Sequence, residues 1–178
     1  MMKSIAITCV AGLVASSAFA GQSVATGKDY KSPAPAPIPC FKEQELQLDL
    51  FASYTAFEDG QYDDGFGGGI ALNYFFTRYF GIGVDGNVLD GGASGVWDST
   101  GRLLARYPLE LGSTCIAPYA FGGGGVQADG TTVGTVHAGG GLEWRATPSF
   151  GVFGEGRYTW GGGDSEAVQA RLGFRFVF

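Results

Sequence analysis

His137 is the only histidine in 178 residues. Catalysis by an activated nucleophile needs a base within hydrogen-bond reach of that nucleophile and a third group to orient the base. No serine lies two residues from His137. Glu143 lies on the same face of the extended segment, but about 20 Å away at roughly 3.3 Å per residue. His137 is therefore expected to fill an interior, not to catalyse. The glycine runs at 122–125, 139–141 and 161–163 are not phosphate loops, because no lysine follows them and no helix starts there. Zinc is not expected from one histidine and three cysteines, Cys9, Cys40 and Cys115. No enzyme activity, metal or cofactor is expected.

The remaining reactive residues are charged, and their spacing is regular. From Gln44 onward apolar and polar residues alternate with a period of two, the pattern of half-buried strands. Eight strands are predicted, at about 46–57, 67–76, 80–88, 102–111, 117–126, 135–145, 150–160 and 168–178. One face of each carries no charge. The opposite faces hold Asp49, Asp85, Arg102, Arg106, Glu110, Glu143, Arg145, Glu155, Arg157, Arg171 and Arg175. Large aromatics mark the ends of the uncharged faces. Phe76, Phe80, Tyr119, Trp144, Phe150, Phe176 and Phe178 gather near one set of turns, and Tyr158 and Trp160 near the other end. An apolar band between two aromatic girdles is the pattern of a membrane barrel.

Composition agrees with that reading. Thirty-two glycines would weaken helices, while 45% hydrophobic residues exclude a disordered chain. The net charge of −6 argues against a nucleic-acid partner. Strands can cross a membrane only as a closed barrel, which leaves no backbone group unpaired. Residues 1–20 read as a Sec signal peptide: Lys3, a short apolar run from Ile5 to Val14, and small residues before a cleavage site after Ala20. Residues 21–43 read as a proline-rich periplasmic linker, with Lys31 to Pro39 favouring polyproline II. The barrel domain is assigned to 44–178.

Short turns are expected at 77–79, 112–116 and 146–149, and longer loops at 58–65, 89–101, 127–133 and 161–166. In bacterial barrels short turns face the periplasm, which permits disulfides. Cys40, just before strand one, and Cys115, in the turn between strands four and five, both fall on that side. They are expected to form a disulfide; two free thiols are the alternative. Pro108 and Pro118 cannot donate within a ladder, so a bulge or early strand end is expected near each. Six arginines and five acids in the interior should pair, because an unpaired charge there is costly. Glycines 122, 124, 139, 141 and 173 are expected to leave room for the arginine side chains.

The closing strand Leu172-Gly-Phe-Arg-Phe-Val-Phe178, the Tyr74-Phe-Phe-Thr-Arg-Tyr-Phe-Gly-Ile-Gly83 hairpin and the Pro118-Tyr-Ala-Phe-Gly-Gly-Gly-Gly125 strand resemble the small bacterial outer-membrane barrels related to the OmpA transmembrane domain and the opacity-type porins. The resemblance covers roughly 41–178. It implies an eight-stranded antiparallel up-and-down transmembrane barrel. It also implies that Phe174, Phe176 and Phe178 act as the signal to the barrel assembly machinery. Expected partners are outer-membrane lipid, that machinery and periplasmic chaperones; the barrel is expected to be monomeric. The expected function is structural, supporting envelope integrity or the cell surface. A narrow porin-like channel and surface recognition through acidic loops are the alternatives.

Overall fold

The computed structural model describes residues 39–57, 64–90, 96–111, 114–128, 132–161 and 166–178. The expected signal peptide, the linker up to residue 38, and residues 58–63 and 91–95 of the acidic loops lie outside the described residues. The strand segments are β1 (Glu45–Phe57), β2 (Gly65–Phe75), β3 (Phe80–Leu89), β4 (Val96–Arg106), β5 (Leu109–Leu111), β6 (Thr114–Ala128), β7 (Thr132–Thr147), β8 (Phe150–Gly161) and β9 (Ala167–Val177). All pair antiparallel, β1 pairs with β9, and β4 pairs with β6, so the sheet closes. β4 and β5 lie end to end along β6 and count as one stave, giving an eight-stranded barrel.

The two surfaces have opposite chemistry. Leu172 is 70% exposed and Leu103 is 69% exposed, whereas Asp49 and Glu143 are fully buried. A protein folded in water would reverse this arrangement. The exterior presents Leu50, Ile70, Leu72, Ile82, Val84, Leu142 and Val168 between aromatic ends. Phe76, Tyr79, Phe80, Tyr107, Trp144 and Phe178 stand at the end with the short turns. Phe66, Trp97 and Trp160 stand at the other.

Three expectations need correction. β4 starts at Val96, not near 102, so the expected 89–101 loop is mostly strand. Val96 pairs with Leu89 and Asp98 with Asn87. The polar residues Asp98 and Thr100 disguise the strand because they point into a polar interior. Second, β6 has the opposite facing to that expected. Tyr119 and Phe121 are buried inside while Pro118 and Ala120 face out, so Tyr119 is not part of the girdle. Third, Cys115 belongs to β6 and points inward; it does not lie in a turn.

The prolines are accommodated without a bulge. At Pro108 the stave breaks between β4 and β5, yet the register holds: Arg106 pairs with Tyr119 and Leu109 with Ile116. Arg106 N–H donates to Tyr79 O and Tyr107 N–H to Pro118 O, both at 2.8 Å. Backbone groups alternate sides along a strand, so Pro108 turns toward β3 just past its last paired residue. Its missing donor has no partner to disappoint. Pro118 remains within an unbroken β6. It accepts from Tyr107 and sacrifices only the return bond. Among the described residues, the ladder shifts register between Arg145 and Thr147 on β7.

Inward glycines make room for rings. A Cβ on Gly173 would lie 2.8 Å from Phe51 Cβ, 2.9 Å from Phe153 Cε1 and 2.3 Å from Leu50 O. Outward Gly156 has nothing within 4 Å. Gly173→Ala should destabilise the barrel by about 1–3 kcal/mol through overpacking. Gly156→Ala should be neutral or mildly stabilising. Urea unfolding in detergent, followed by heat-modifiable gel migration, checks the contrast.

Candidate functional site in the barrel lumen

Alternation on eight staves sends a charged set inward from every side. Glu45 and Asp49 come from β1, Asp85 from β3, Asp98, Arg102 and Arg106 from β4. Glu143 and Arg145 come from β7, Glu155 and Arg157 from β8, Arg171 and Arg175 from β9. All are buried, and among the described residues they number six acids and six arginines.

These twelve side chains form one connected chain of ion pairs. At the short-turn end Glu45 bridges Arg106 at 2.7 Å and Arg145 at 2.5 Å. Arg145 meets Glu143 at 2.6 Å, and Glu143 meets Arg175 at 2.6 Å. Arg175 grips both oxygens of Asp49 at 2.7 Å, the bidentate geometry that favours arginine. In the other half Arg102 meets Glu155 at 3.2 Å, Arg171 meets Glu155 at 3.3 Å, and Asp85 holds Arg171 at 3.0 Å and Arg157 at 3.4 Å. Arg157 then reaches Asp98.

The halves join through Asn73. Asp49 and Arg102 are 3.7 Å apart, a weak direct pair. Asn73 Nδ2 donates to Asp49 at 2.8 Å, and Arg102 donates to Asn73 Oδ1 at 2.9 and 3.2 Å. Thr100 donates to Asp85, Tyr119 to Glu155, and Arg171 to Gln169.

Aromatic rings form the second component. Arg102 lies over Phe121, Arg171 over Phe51, and Arg175 over both Tyr119 and Phe153, with centroid distances of 4.5–5.4 Å. The rings fit because glycine stands opposite. Gly139 faces the tip of Phe121, Gly141 the tip of Tyr119, and Gly69 the tip of Phe51. Glycines 139, 141 and 173 thus serve the rings directly and the arginines only through them, while 122 and 124 face outward.

At the short-turn end the residues before β1 lie against the lumen arginines. Cys40 is disulfide-bonded to Cys115, and Phe41 is 1% exposed. Arg106 lies between the Phe41 ring at 5.1 Å and the Phe75 ring at 3.8 Å, and Arg145 covers Phe41 at 4.2 Å. Arg145 donates to Cys40 O and Arg106 to Lys42 O. Residues 40–43, assigned to the linker in sequence, are therefore folded onto the barrel.

Sequence reasoning missed Glu45, Asp98 and Asn73. Glu45 was one residue short of the assigned strand, and Asp98 sat in an assigned loop. Asn73 carries no charge to flag it. Glu110 does not join the lumen: it sits at the rim and pairs with Arg78 at 2.7 Å, both partly exposed. β5 has reached the barrel end there, so its alternate face no longer looks into an enclosed space. His137 lies inside, 6.1 Å from the Phe121 ring centroid. Neither ring nitrogen has a hydrogen-bond partner among the described residues. Phe174 and Phe178 are exposed on the outside, and Phe176 is half-buried against Phe150 at 5.5 Å.

Arg175 is shared by Asp49 and Glu143, so Arg175→Met takes from Asp49 its close cation, leaving Arg102 at 3.7 Å, and leaves Glu143 with Arg145 alone. It should cost about 3–5 kcal/mol of unfolding free energy. Glu110→Gln, at an exposed pair, should change stability by less than about 1 kcal/mol. Urea titration of both variants in the same detergent makes the comparison.

No family model matches the chain, and no curated protein matches it in sequence. Solved structures do match in shape. The N-terminal β-barrel domain of Pseudomonas aeruginosa OprF matches with a TM-score of 0.60 at 14% identity, covering 76% of this chain and 98% of that one. Neisserial surface protein A matches at 0.57 and 16% identity, covering 74% and 95%. A de novo designed transmembrane β-barrel matches at 0.57 and 17% identity, covering 77% and 98%. From Glu45 to Phe178 the chain has the fold of the small eight-stranded transmembrane β-barrels found in bacterial outer membranes.

Proposed function

We propose that this protein is a non-enzymatic, monomeric outer-membrane barrel with a structural role in the envelope, its lumen closed to solutes. The single observation behind the closed lumen is the uninterrupted ion-pair chain from Arg106 to Asp98. A passing ion would have to break buried ion pairs, and removing one partner of such a pair is costly. An eight-stranded barrel is also just wide enough for side chains to fill it. The apolar exterior between two aromatic ends supports residence in lipid.

Export is through Sec, with removal of residues 1–20. The short turns, and the start and finish of the barrel at Glu45 and Phe178, then face the periplasm, where Cys40 and Cys115 are oxidised. Phe174 and Phe176 of β9, with Phe178 just after it, are the element read by the barrel assembly machinery. The acidic loops, the basis for a recognition role, lie mostly outside the described residues.

The purified oxidised protein should give no reproducible openings in a planar lipid bilayer. Steady unitary conductance would favour a narrow channel instead. In cells the protein should fractionate with the outer membrane, and removing Phe178 should lower its folded, heat-modifiable amount there. An undiminished level would refute the assembly role of that residue.

A further inference from the structure

We propose that residues 39–44 are a disulfide-latched stopper for the short-turn end of the barrel, with Phe41 as plug, Arg106 and Arg145 as its seat, and Cys40–Cys115 as the latch.

Four observations carry this. First, Phe41 is almost wholly buried although it precedes the first strand. A phenylalanine at the edge of a spacer would ordinarily be exposed. Second, Phe41 does not join the aliphatic exterior. It lies against two guanidinium groups, at 4.2 and 5.1 Å, and those come from β7 and β4, the two staves that flank β6. Third, the same two arginines hold the strap's backbone: Arg145 donates to Cys40 O and Arg106 to Lys42 O at 3.1 Å. Lys42 N–H in turn donates to Glu45 at 3.1 Å, the acid that joins both arginines. Fourth, Gln44 has φ of 54°, a left-handed backbone rare outside glycine. That residue bends the chain where it leaves the strap and enters β1.

The strap is a single short crossing with no strand pairing of its own. Held only by arginine contacts it would open readily, because segments with few backbone ladder bonds open at low free-energy cost. The disulfide ties it to Cys115 on β6, which is 75 residues away in sequence and paired on both sides, with Glu110 of β5 and Arg145 of β7. In reduction a dithiol transfers two electrons and two protons. The Cys40–Cys115 bond becomes two thiols, and the dithiol becomes a disulfide. Phe41 then loses its tether and the end of the lumen opens down to Glu45. The latch therefore links the redox state of the compartment to access from this one end.

Trypsin tests the strap directly. The Lys42–Glu43 bond is the target, in the folded full-length mature protein held in detergent micelles. Cleavage of a transiently opened segment tracks its open population, so reduction with dithiothreitol should speed this cut by about tenfold or more. The readout is a barrel fragment beginning at Glu43, found by mass spectrometry after quenching. Oxidised Phe41→Ala should also be cut faster than oxidised wild type. A Cys40→Ser/Cys115→Ser variant should match reduced wild type. Should that variant not fold, reduction after folding supplies the same comparison. Equal cutting before and after reduction would overturn the latch. Unchanged cutting in Phe41→Ala would overturn the plug. Both results are independent of whether the lumen conducts.

Discussion

Twelve ionised side chains in a space without bulk water can persist only if each finds its counter-charge. That requirement governs this barrel more than any other. Transfer of a single charge into such an interior costs several kcal/mol even after relaxation. The sum must therefore vanish locally as well as globally. The six carboxylates and six guanidinium groups meet this by forming a chain with no charge left at either end of it. Arginine is the cation throughout. Its planar fork lets one residue serve two acids, as Arg175 does for Asp49 and Glu143. A compact ammonium could not hold both at hydrogen-bond distance with the same directionality.

Flat guanidinium planes also need flat surfaces, and the aromatic rings supply them. Phe51, Phe121, Tyr119 and Phe153 are apolar residues in a polar interior, which would be anomalous if judged by hydropathy alone. Each ring carries an arginine on its face and rests near a glycine. Ring and cation attract more strongly where water is absent. The lumen is thus assembled in layers, with glycine, ring, guanidinium and carboxylate in succession. This explains why so much glycine is compatible with a rigid barrel. The small residues leave volume that the rings then occupy.

Much of this was legible from alternation. The outward set Leu46, Leu50, Tyr54 on β1 and Val168, Leu172, Phe174 on β9 is unambiguous because, Phe51 apart, the residues facing the other way are polar or small. Reading failed where both faces carry the same kind of residue. On β6 Ala117, Pro118, Tyr119, Ala120 and Phe121 give no polarity contrast. The facing is decided instead by Tyr119 reaching Glu155 and by the space at Gly141 and Gly139. These are relations between strands, invisible along one strand. At Val96–Gly101 the small polar residues resemble a loop, and only pairing with β3 makes them strand. Glu110 was misplaced for a different reason. Alternation gives a residue's face but not its height, and near a rim height decides whether that face is enclosed. Asn73 escaped notice because charge was the only marker used to find the interior set.

Charge balance inside the lumen also fixes where the protein's field originates. With the interior neutral, the net charge of −6 must reside on the chain's remaining ionisable residues. Among the described residues, the long-loop end carries Asp64, Asp90 and Glu166 and no lysine or arginine. The opposite rim mixes signs, with Lys42 and Arg78 beside Glu43 and Glu110. The described barrel is therefore electrostatically one-sided along its axis. Its negative pole extends about 8 Å into physiological saline before mobile ions quench it. A dissolved anion drifting toward that pole is turned away and a cation is drawn in, and the bias fades as salt rises.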